Sequence, residues 1–336
     1  MLRVGLIGFG GMGKTHSRVY SVLTEKVEYV AVADVEPDKR KDAQETYGVE
    51  VYEDAAELIA REDIDIVDIC LPTYLHAQYA VMAMKAGKDV FVEKPICLKL
   101  EELELLKKVQ KETGRNVQVG MCVRFTPAYV WVKNALDSMS CGKIISATFT
   151  RRSYNPRWSW QNWFNDPQKS GTVALDLHVH DVDFLCHLFG QRPDSLCSKA
   201  ARNAEGAIDQ IFTIYDFGGS TVMCEGGWNY SEEYGFRPDF VVRFEQATAA
   251  YDNGVLTVYH DNGVTETPNL ESENDIKVND INISSLGAYY DEIKYFTDCL
   301  TNGTEPVKAT IESAGVSIET ILEEIAQAGG LVKDQN

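Results

Sequence analysis

Residues 2–34 read LRVGLIGFGGMGKTHSRVYSVLTEKVEYVAVAD. The apolar run Leu2–Ile7 has the length and composition of a buried strand. It leads straight into Gly8, Gly10 and Gly13, spaced as G-x-G-x-x-G. An amphipathic stretch follows, then a second apolar run, Tyr29–Ala33, closed by Asp34. Strand, tight turn, helix, strand and acid in this order predict a dinucleotide-binding unit. Gly8 permits the tight turn. Gly10 has no Cβ, so the backbone of the loop, with Phe9, Gly11 and Met12, can approach a pyrophosphate. Gly13 lets the helix lie close to the strand. The helix N-terminus offers unpaired N–H groups and the positive end of a dipole. Asp34 stands about 20 residues beyond the glycines, where a carboxylate accepts hydrogen bonds from a ribose diol. The glycines alone would suit any strand-to-helix turn. The flanking strand, helix and acid narrow the reading.

The alternation continues outward. Helical patterns near Asp38–Tyr47, Asp54–Arg61, His76–Lys85 and Glu101–Thr113 alternate with strand-like runs at Val49–Tyr52, Asp63–Pro72, Asp89–Val92 and Val117–Gly120. This predicts a doubly wound, mostly parallel sheet over residues 1–121. From residue 122 the pattern changes. A helix is expected at Pro127–Met139, a strand at Lys143–Ser153, a Trp- and Asn-rich loop at Tyr154–Ser170 and a long helix at Thr172–Phe189. Strands are expected at Ser195–Arg202, Gln210–Phe217, Thr221–Trp228, Phe240–Tyr251 and Val255–His260, some separated by Gly-Gly or Asn-Gly hairpin signals. Helices at Leu286–Thr301 and Thr310–Gln327 close the chain. Residues 122–336 thus read as an α+β domain with a large, mostly antiparallel sheet.

A length of 336 residues suits about two domains, and 44% hydrophobic content suits a globular core. A net charge of −19 disfavours nucleic acid and anionic membrane surfaces as partners, since both select basic patches. No apolar run reaches the ~18 residues of a membrane span, and no leader pattern precedes the first strand. The expected compartment is the cytoplasm. The eight cysteines show neither C-x-x-C pairs nor metal-type spacing, and read as reduced thiols.

Two further stretches carry chemistry. FVEKPICL, Phe91–Leu98, places Glu93, Lys94 and Pro95 at the carboxyl end of a predicted strand, the edge where open α/β sheets bind ligands. Pro95 keeps the preceding backbone extended. A surface lysine at a strand end is the plainer alternative. LDLHVHDVDFLCHLFG, Leu175–Gly190, is the second. On a regular helix of about 100° per residue, Asp176, His180, Asp183 and His187 share about 60° of arc. A carboxylate one turn from an imidazole suits general acid–base work; a capped helix start with a satisfied core histidine fits as well. His178 points away from Asp176, and the two histidines diverge by about 160°, so they cannot share an ion on one helix. No metal is expected. Asp34 would repel a 2′-phosphate and no arginine follows it directly in DVEPDKR, which favours NAD over NADP, with Lys39 and Arg40 as the competing cations.

The chain resembles the Gfo/Idh/MocA oxidoreductases over nearly its whole length. The resemblance rests on GFGGMG at Gly8–Gly13, CLPTYLHAQYAVMAMKAGKDVFVEKP at Cys70–Pro95, VGMCVRFTPAY at Val119–Tyr129 and SGTVALDLHVHDVDFLCHLFG at Ser170–Gly190. It implies a Rossmann domain followed by an open-sheet domain through which subunits pair as dimers or tetramers. It implies oxidation of a sugar, sugar-acid or cyclitol hydroxyl by a nicotinamide, or the reverse. Lys94 matches the family's catalytic lysine, and Asp176 with His180 its D-x-x-x-H pair. Leu71, Pro72, Thr73 and His76, with Glu93 and Pro95, match loops that line the cofactor, and Arg124 a basic position near the substrate mouth. The chain departs from its relatives at Ser170-Gly171-Thr172, where Gly-Gly-Gly is frequent, and at His178, where many carry Gly or Ala.

In the loop RWSWQNWFND, Arg157–Asp166, Trp158 and Trp163 could stack on a sugar face or plug the core. Three functions remain open: an NAD(P)-dependent dehydrogenase, a glycosidase or eliminase using transient oxidation by held NAD, and a non-catalytic sugar sensor. Lys94, Asp176 and His180 weigh against the sensor.

Overall fold

The computed structural model describes residues 1–157, 159–270, 277–280 and 283–332. It forms two compact units: residues 1–122 with 274–315, and residues 123–273 with 316–336. In the first unit, β1 (Leu2–Ile7), β2 (Val27–Ala33), β3 (Glu50–Tyr52), β4 (Ile66–Ile69), β5 (Asp89–Glu93) and β6 (Val117–Gly120) make one sheet in the order β3-β2-β1-β4-β5-β6. Every pairing in it is parallel. Helices α1 (Gly11–Val22), α2 (Pro37–Tyr47), α3 (Ala55–Ile59), α4 (His76–Lys85) and α5 (Leu100–Thr113) connect the strands. The strands are short and almost wholly apolar, as strands covered on both faces must be. Val4, Leu6, Ile66, Val67, Val90 and Phe91 have no exposed surface. The order reverses between β1 and β4, the place where such sheets open a crevice at their carboxyl edge.

The second unit contains α6 (Pro127–Asp137), β7 (Ile144–Tyr154), a single turn α7 (Pro167–Ser170) and α8 (Val179–Phe189). These precede β8 (Ser195–Arg202), β9 (Ile208–Phe217), β10 (Ser220–Tyr230), β11 (Arg237–Phe244), β12 (Ala247–Asp252), β13 (Val255–His260) and β14 (Thr265–Glu266). The sheet runs β14-β13-β12-β11-β7-β10-β9-β8, antiparallel except between β7 and β10. The run Phe240–Tyr251, expected as one strand, is two strands folded on each other. Phe240 pairs with Tyr251 across the β11–β12 hairpin, and their rings stack with centroids 5.2 Å apart. The turn falls at Glu245-Gln246, without the Gly, Pro or Asn that marks a reversal in sequence. On the inner face Tyr129, Phe149, Phe184 and Phe240 interlock, with Tyr129–Phe184 and Tyr129–Phe240 centroids 4.9 Å and 5.1 Å apart. This seats α8 against β7 and β11.

Beyond β14 the chain forms the small pair β15 (Lys277–Asp280) and β16 (Ile283–Ser285), then α9 (Gly287–Asn302) and α10 (Ile311–Gln327). Here the structure departs from a second domain running unbroken from 122 to 336, because residues 274–315 group with the first unit. Leu286, Ile293 and Phe296 enter the same core as Val4, Leu6, Ile66 and Phe91. An amphipathic helix joins whichever apolar surface it completes, and its own sequence does not name that surface. Among the described residues no helix is long and apolar enough to cross a membrane.

Candidate active site

The first unit carries its candidate site residues at the carboxyl edge of its sheet. Gly8 has φ +94°, and a Cβ there would lie 2.6 Å from the Cys70 carbonyl oxygen. A Cβ on Gly13 would lie 2.0 Å from the Gly8 carbonyl oxygen. Both glycines are therefore required for the chain to pack on itself. At Gly10 and Gly11 an added Cβ would meet nothing within 4 Å. Their backbone faces open space at the start of α1, the cradle a pyrophosphate fits. Asp34 follows β2 directly, with its carboxylate buried. Its Oδ2 accepts the Phe9 N–H at 2.7 Å and its Oδ1 the Glu36 N–H at 2.9 Å. The lone pairs that remain suit a ribose diol. Lys39 Nζ stands 3.7 Å from Asp34 Oδ2, while Arg40 is turned onto the Asp34 and Val35 carbonyls at 2.8 Å and 3.0 Å.

Two loops close this edge. After β4, Pro72 leads into a single tight turn, Thr73–Leu75. After β5, Lys94 follows Glu93, and the Lys94–Pro95 peptide is cis. The Lys94 N–H donates to Glu93 Oε2 at 3.2 Å. His76, expected to line the cofactor, is instead a buried brace between the loops. Its Nδ1 lies 2.8 Å from the Pro95 carbonyl oxygen and its Nε2 2.6 Å from that of Leu71. Both ring nitrogens face backbone carbonyls, and burial pulls the imidazole below its ordinary pKa, so the neutral ring donates its one N–H to one of them.

The second unit presents Asp176 and His180. The expected regular helix Thr172–Phe189 is interrupted. Residues Ala174–His178 form a π-turn before α8 begins at Val179. Its i→i+5 bonding widens the backbone, so the arc drawn for a regular helix does not carry through Asp176. Asp176 and His180 keep partial exposure, while His178, Asp181 and Asp183 are buried. Each buried group has its own partner. Asp183 is bidentate with Arg124 at 2.6 Å and 2.7 Å and accepts Ser317 Oγ at 2.8 Å. Arg124, expected near the substrate mouth, is therefore a sealed clamp on α8: a guanidinium in the core must be matched by a carboxylate. Asp181 is bidentate with Arg151 at 2.9 Å. Half-buried His187 is pushed down to about 4 by burial and by the nearby Arg124 charge.

His178 turns into the sheet. Its Nε2 lies 2.9 Å from Glu324 Oε2 on α10, and Tyr215 and Thr213 donate to the same carboxylate at 2.7 Å and 3.2 Å. Gly226 on β10 makes room for it, since a Cβ there would lie 2.6 Å from the His178 Cβ. The aromatic loop is held by Ser170 Oγ donating to the Phe164 carbonyl at 2.7 Å. Trp163 stacks on Phe164 with centroids 4.1 Å apart. Trp158 lies outside the described residues.

The sequence reading did not single out His16, Asp68, Glu292 or Glu324. His16, three residues past Gly13 on the buried face of α1, was the one with a local signal. The others are single acids inside helices or strands.

Residues 2–121 match the oxidoreductase family described as NAD-binding Rossmann fold, and residues 129–250 match the GFO/IDH/MocA C-terminal domain. The chain is 35% identical to inositol 2-dehydrogenase of Rhizobium meliloti (strain 1021), over 62% of this chain and 61% of that protein. It is 28% identical to scyllo-inositol 2-dehydrogenase (NAD(+)) of Bacillus subtilis (strain 168), over 93% of this chain and 90% of that one. Among solved structures, levoglucosan dehydrogenase in complex with NADH and levoglucosan shares the fold. Its TM-score is 0.85 at 21% identity, covering 98% of both chains.

Proposed function

The chain belongs to the Gfo/Idh/MocA oxidoreductases, and on that premise we propose that it is an NAD-dependent dehydrogenase of a cyclitol, of the inositol kind, or of a closely related sugar. One observation carries the reading. A single parallel sheet sets the open Gly10-Gly11 cradle, the Asp34 carboxylate and Lys94 along the same edge, the layout that a dinucleotide with its reactive end near Lys94 requires. The inositol dehydrogenases among its relatives support the cyclitol as substrate class.

NAD supplies the hydride acceptor when bound. Gly10, Gly11 and the start of α1 hold its pyrophosphate, and Asp34 holds a ribose diol and favours NAD over NADP. His180 takes the proton of the substrate hydroxyl, so that the carbon can release hydride and become a ketone. Lys94 donates a hydrogen bond to the same oxygen and stabilises its partial negative charge. Asp176 orients the pair, and Trp163 is a candidate stacking surface for the ring.

Anaerobic incubation of the protein with NAD and a panel of inositols, sugars and sugar acids tests this. Accumulating NADH with an inositol is the expected result. Product without net NADH would point to transient oxidation, and silence across the panel would remove the cyclitol assignment.

A further inference from the structure

Behind Lys94 lies a sealed cluster of titratable groups that the reaction above leaves without a task. His16 on α1, Glu93 on β5 and Glu292 on α9 converge so that a ring nitrogen and one oxygen of each glutamate lie within 4.8 Å of one another. His16 and Glu292 have no exposed surface. His16 Nδ1 stands 2.8 Å from Asp68 Oδ2 and its Nε2 3.1 Å from Glu93 Oε1. Carboxylates at both ring nitrogens are what an imidazolium donates to. Burial pulls the imidazole down, but Asp68 and Cys70 outweigh it, and its pKa stands well above the ordinary value. One cation is thus shared by two carboxylates, and Tyr20 donates to Asp68 at 2.8 Å.

Glu292 is the third acid. Neither of its oxygens has a hydrogen-bond partner among the described residues, and the same holds for Gln118 Oε1 beside it. Gln118 Nε2 donates to the Glu292 backbone carbonyl at 3.2 Å. The groups facing Glu292 are His16 from α1, Asp68 from β4, Glu93 from β5, Gln118 from β6 and Tyr289 from its own helix. An ionised Glu292 would be a buried charge with no donor beside two other carboxylates, the costliest state open to it. Burial and the Glu93 charge push its pKa well above the ordinary carboxyl range.

We propose that Glu292 is a neutral carboxylic acid with its O–H turned toward Glu93, and that His16, Glu93 and Glu292 together form the positioning element for Lys94. The link is short. Glu93 holds His16 with one oxygen and the Lys94 N–H with the other, so a shift of this carboxylate moves the backbone from which the lysine is aimed. The positioning role rests on the reading of Lys94 as the group that contacts the reacting oxygen; the protonation of Glu292 does not.

Infrared difference spectra of the full-length protein at neutral pH, wild type minus Glu292→Gln, test the protonation. The carbonyl stretch of a protonated carboxylic acid is expected in the wild type and absent from the variant. A difference confined to carboxylate bands overturns the proposal. So does a stoichiometric divalent metal that is present in purified wild type and lost in Glu292→Gln, because the same three groups would then be its ligands. The positioning role is read from kcat and KM on the polyol substrate. Glu292→Leu should lower kcat about tenfold, the scale of a small misplacement, with KM for NAD unchanged. Glu292→Gln, which keeps a neutral donor, should restore most of that loss and shift any alkaline decline of kcat to higher pH. Equal kcat in both variants, or identical alkaline limbs in wild type and Glu292→Gln, overturns the role. The infrared arm needs no substrate and uses only the Gln variant, so it stands if no polyol is turned over or if Glu292→Leu does not fold.

Discussion

Lys94 and His180 carry the chemistry in the proposed reaction, and each can be removed singly. Lys94→Ala and His180→Ala should each lower turnover by about 10²-fold or more, the scale of a lost acid–base or polarising group, with NAD affinity little changed. Near-normal turnover by either variant on the true substrate would take that role away. At Asp34, fluorescence titration should find tighter binding of NAD than of NADP. Asp34→Asn should narrow the gap, because it removes the charge that repels a 2′-phosphate and leaves Lys39, now 3.7 Å away, unopposed. Tighter NADP binding by the wild type would reverse the assignment. His187 gives a pH prediction with a definite sign. Its folded pKa is lowered from an ordinary 6.5 to about 4. Between those values the unfolded chain takes up a proton that the folded one refuses, so stability is full above the upper value and falls as pH drops toward the lower. Urea midpoints against pH should show this slope, and His187→Gln should flatten it; an unchanged slope would place its origin elsewhere. The glycine turn was legible in sequence because it depends on local backbone freedom, whereas the arc expected for Asp176 and His180 was altered by the π-turn. The partners of Arg124 and His76, Asp183 and the Pro95 carbonyl, were not legible because they are set by packing rather than by neighbours in the chain.

At the scale of elements, the stretch Thr172–Phe189 shows what periodicity can and cannot supply. Its apolar pattern reports a helix facing a core, and α8 is that helix. The pattern does not report the π-turn at Ala174–His178, since one extra residue per turn leaves no mark in composition. The turn is locked from outside by the His178–Glu324 pair and by the space at Gly226. Gly226→Ala should therefore cost about 1–3 kcal/mol in denaturant unfolding, the penalty of overpacking, because its Cβ would press on His178. A variant as stable as the parent would mean that the π-turn stands further from β10 than described. The hairpin at Glu245-Gln246 was missed for a related reason. Its reversal is held by the Glu245 and Gln246 N–H groups donating to the Lys143 and Cys141 carbonyls at 2.9 Å and 3.0 Å, contacts from the turn before β7, about a hundred residues away in the chain.

For the whole molecule, the outward face of the second sheet bears on assembly. Val241, Thr148, Met223, Ile214 and Cys197 are successive register partners across β11, β7, β10, β9 and β8. Val241 and Ile214 are 47% and 52% exposed. The neighbouring row, Arg243, Ser146, Thr221 and Asp216, is polar. An apolar band bordered by polar groups is the anatomy of an interface, and we propose that two copies pair through it. The apolar surface comes from four strands in register, with Thr148 of β7 among them, not from one long strand. Light scattering after size exclusion should give at least twice the chain mass, and Ile214→Glu should shift it toward the monomer with secondary structure intact. A monomeric wild type at micromolar concentration would refute the pairing.

The sequence by itself determined the order of strands and helices in residues 1–121, the glycine turn and its acid, and the peptides that hold Lys94, Asp176 and His180. Each of these is written in spacing, periodicity or backbone freedom within a few residues. Tertiary structure alone decided which unit α9 completes, that β11 and β12 are a hairpin, and which buried polar groups meet: Arg124 with Asp183, His178 with Glu324, and His16 and Glu93 with Glu292. Periodicity states that a side chain faces inward. What it faces depends on segments as many as 276 positions apart in the case of His16 and Glu292, and a buried polar group takes its protonation and its role from that neighbour.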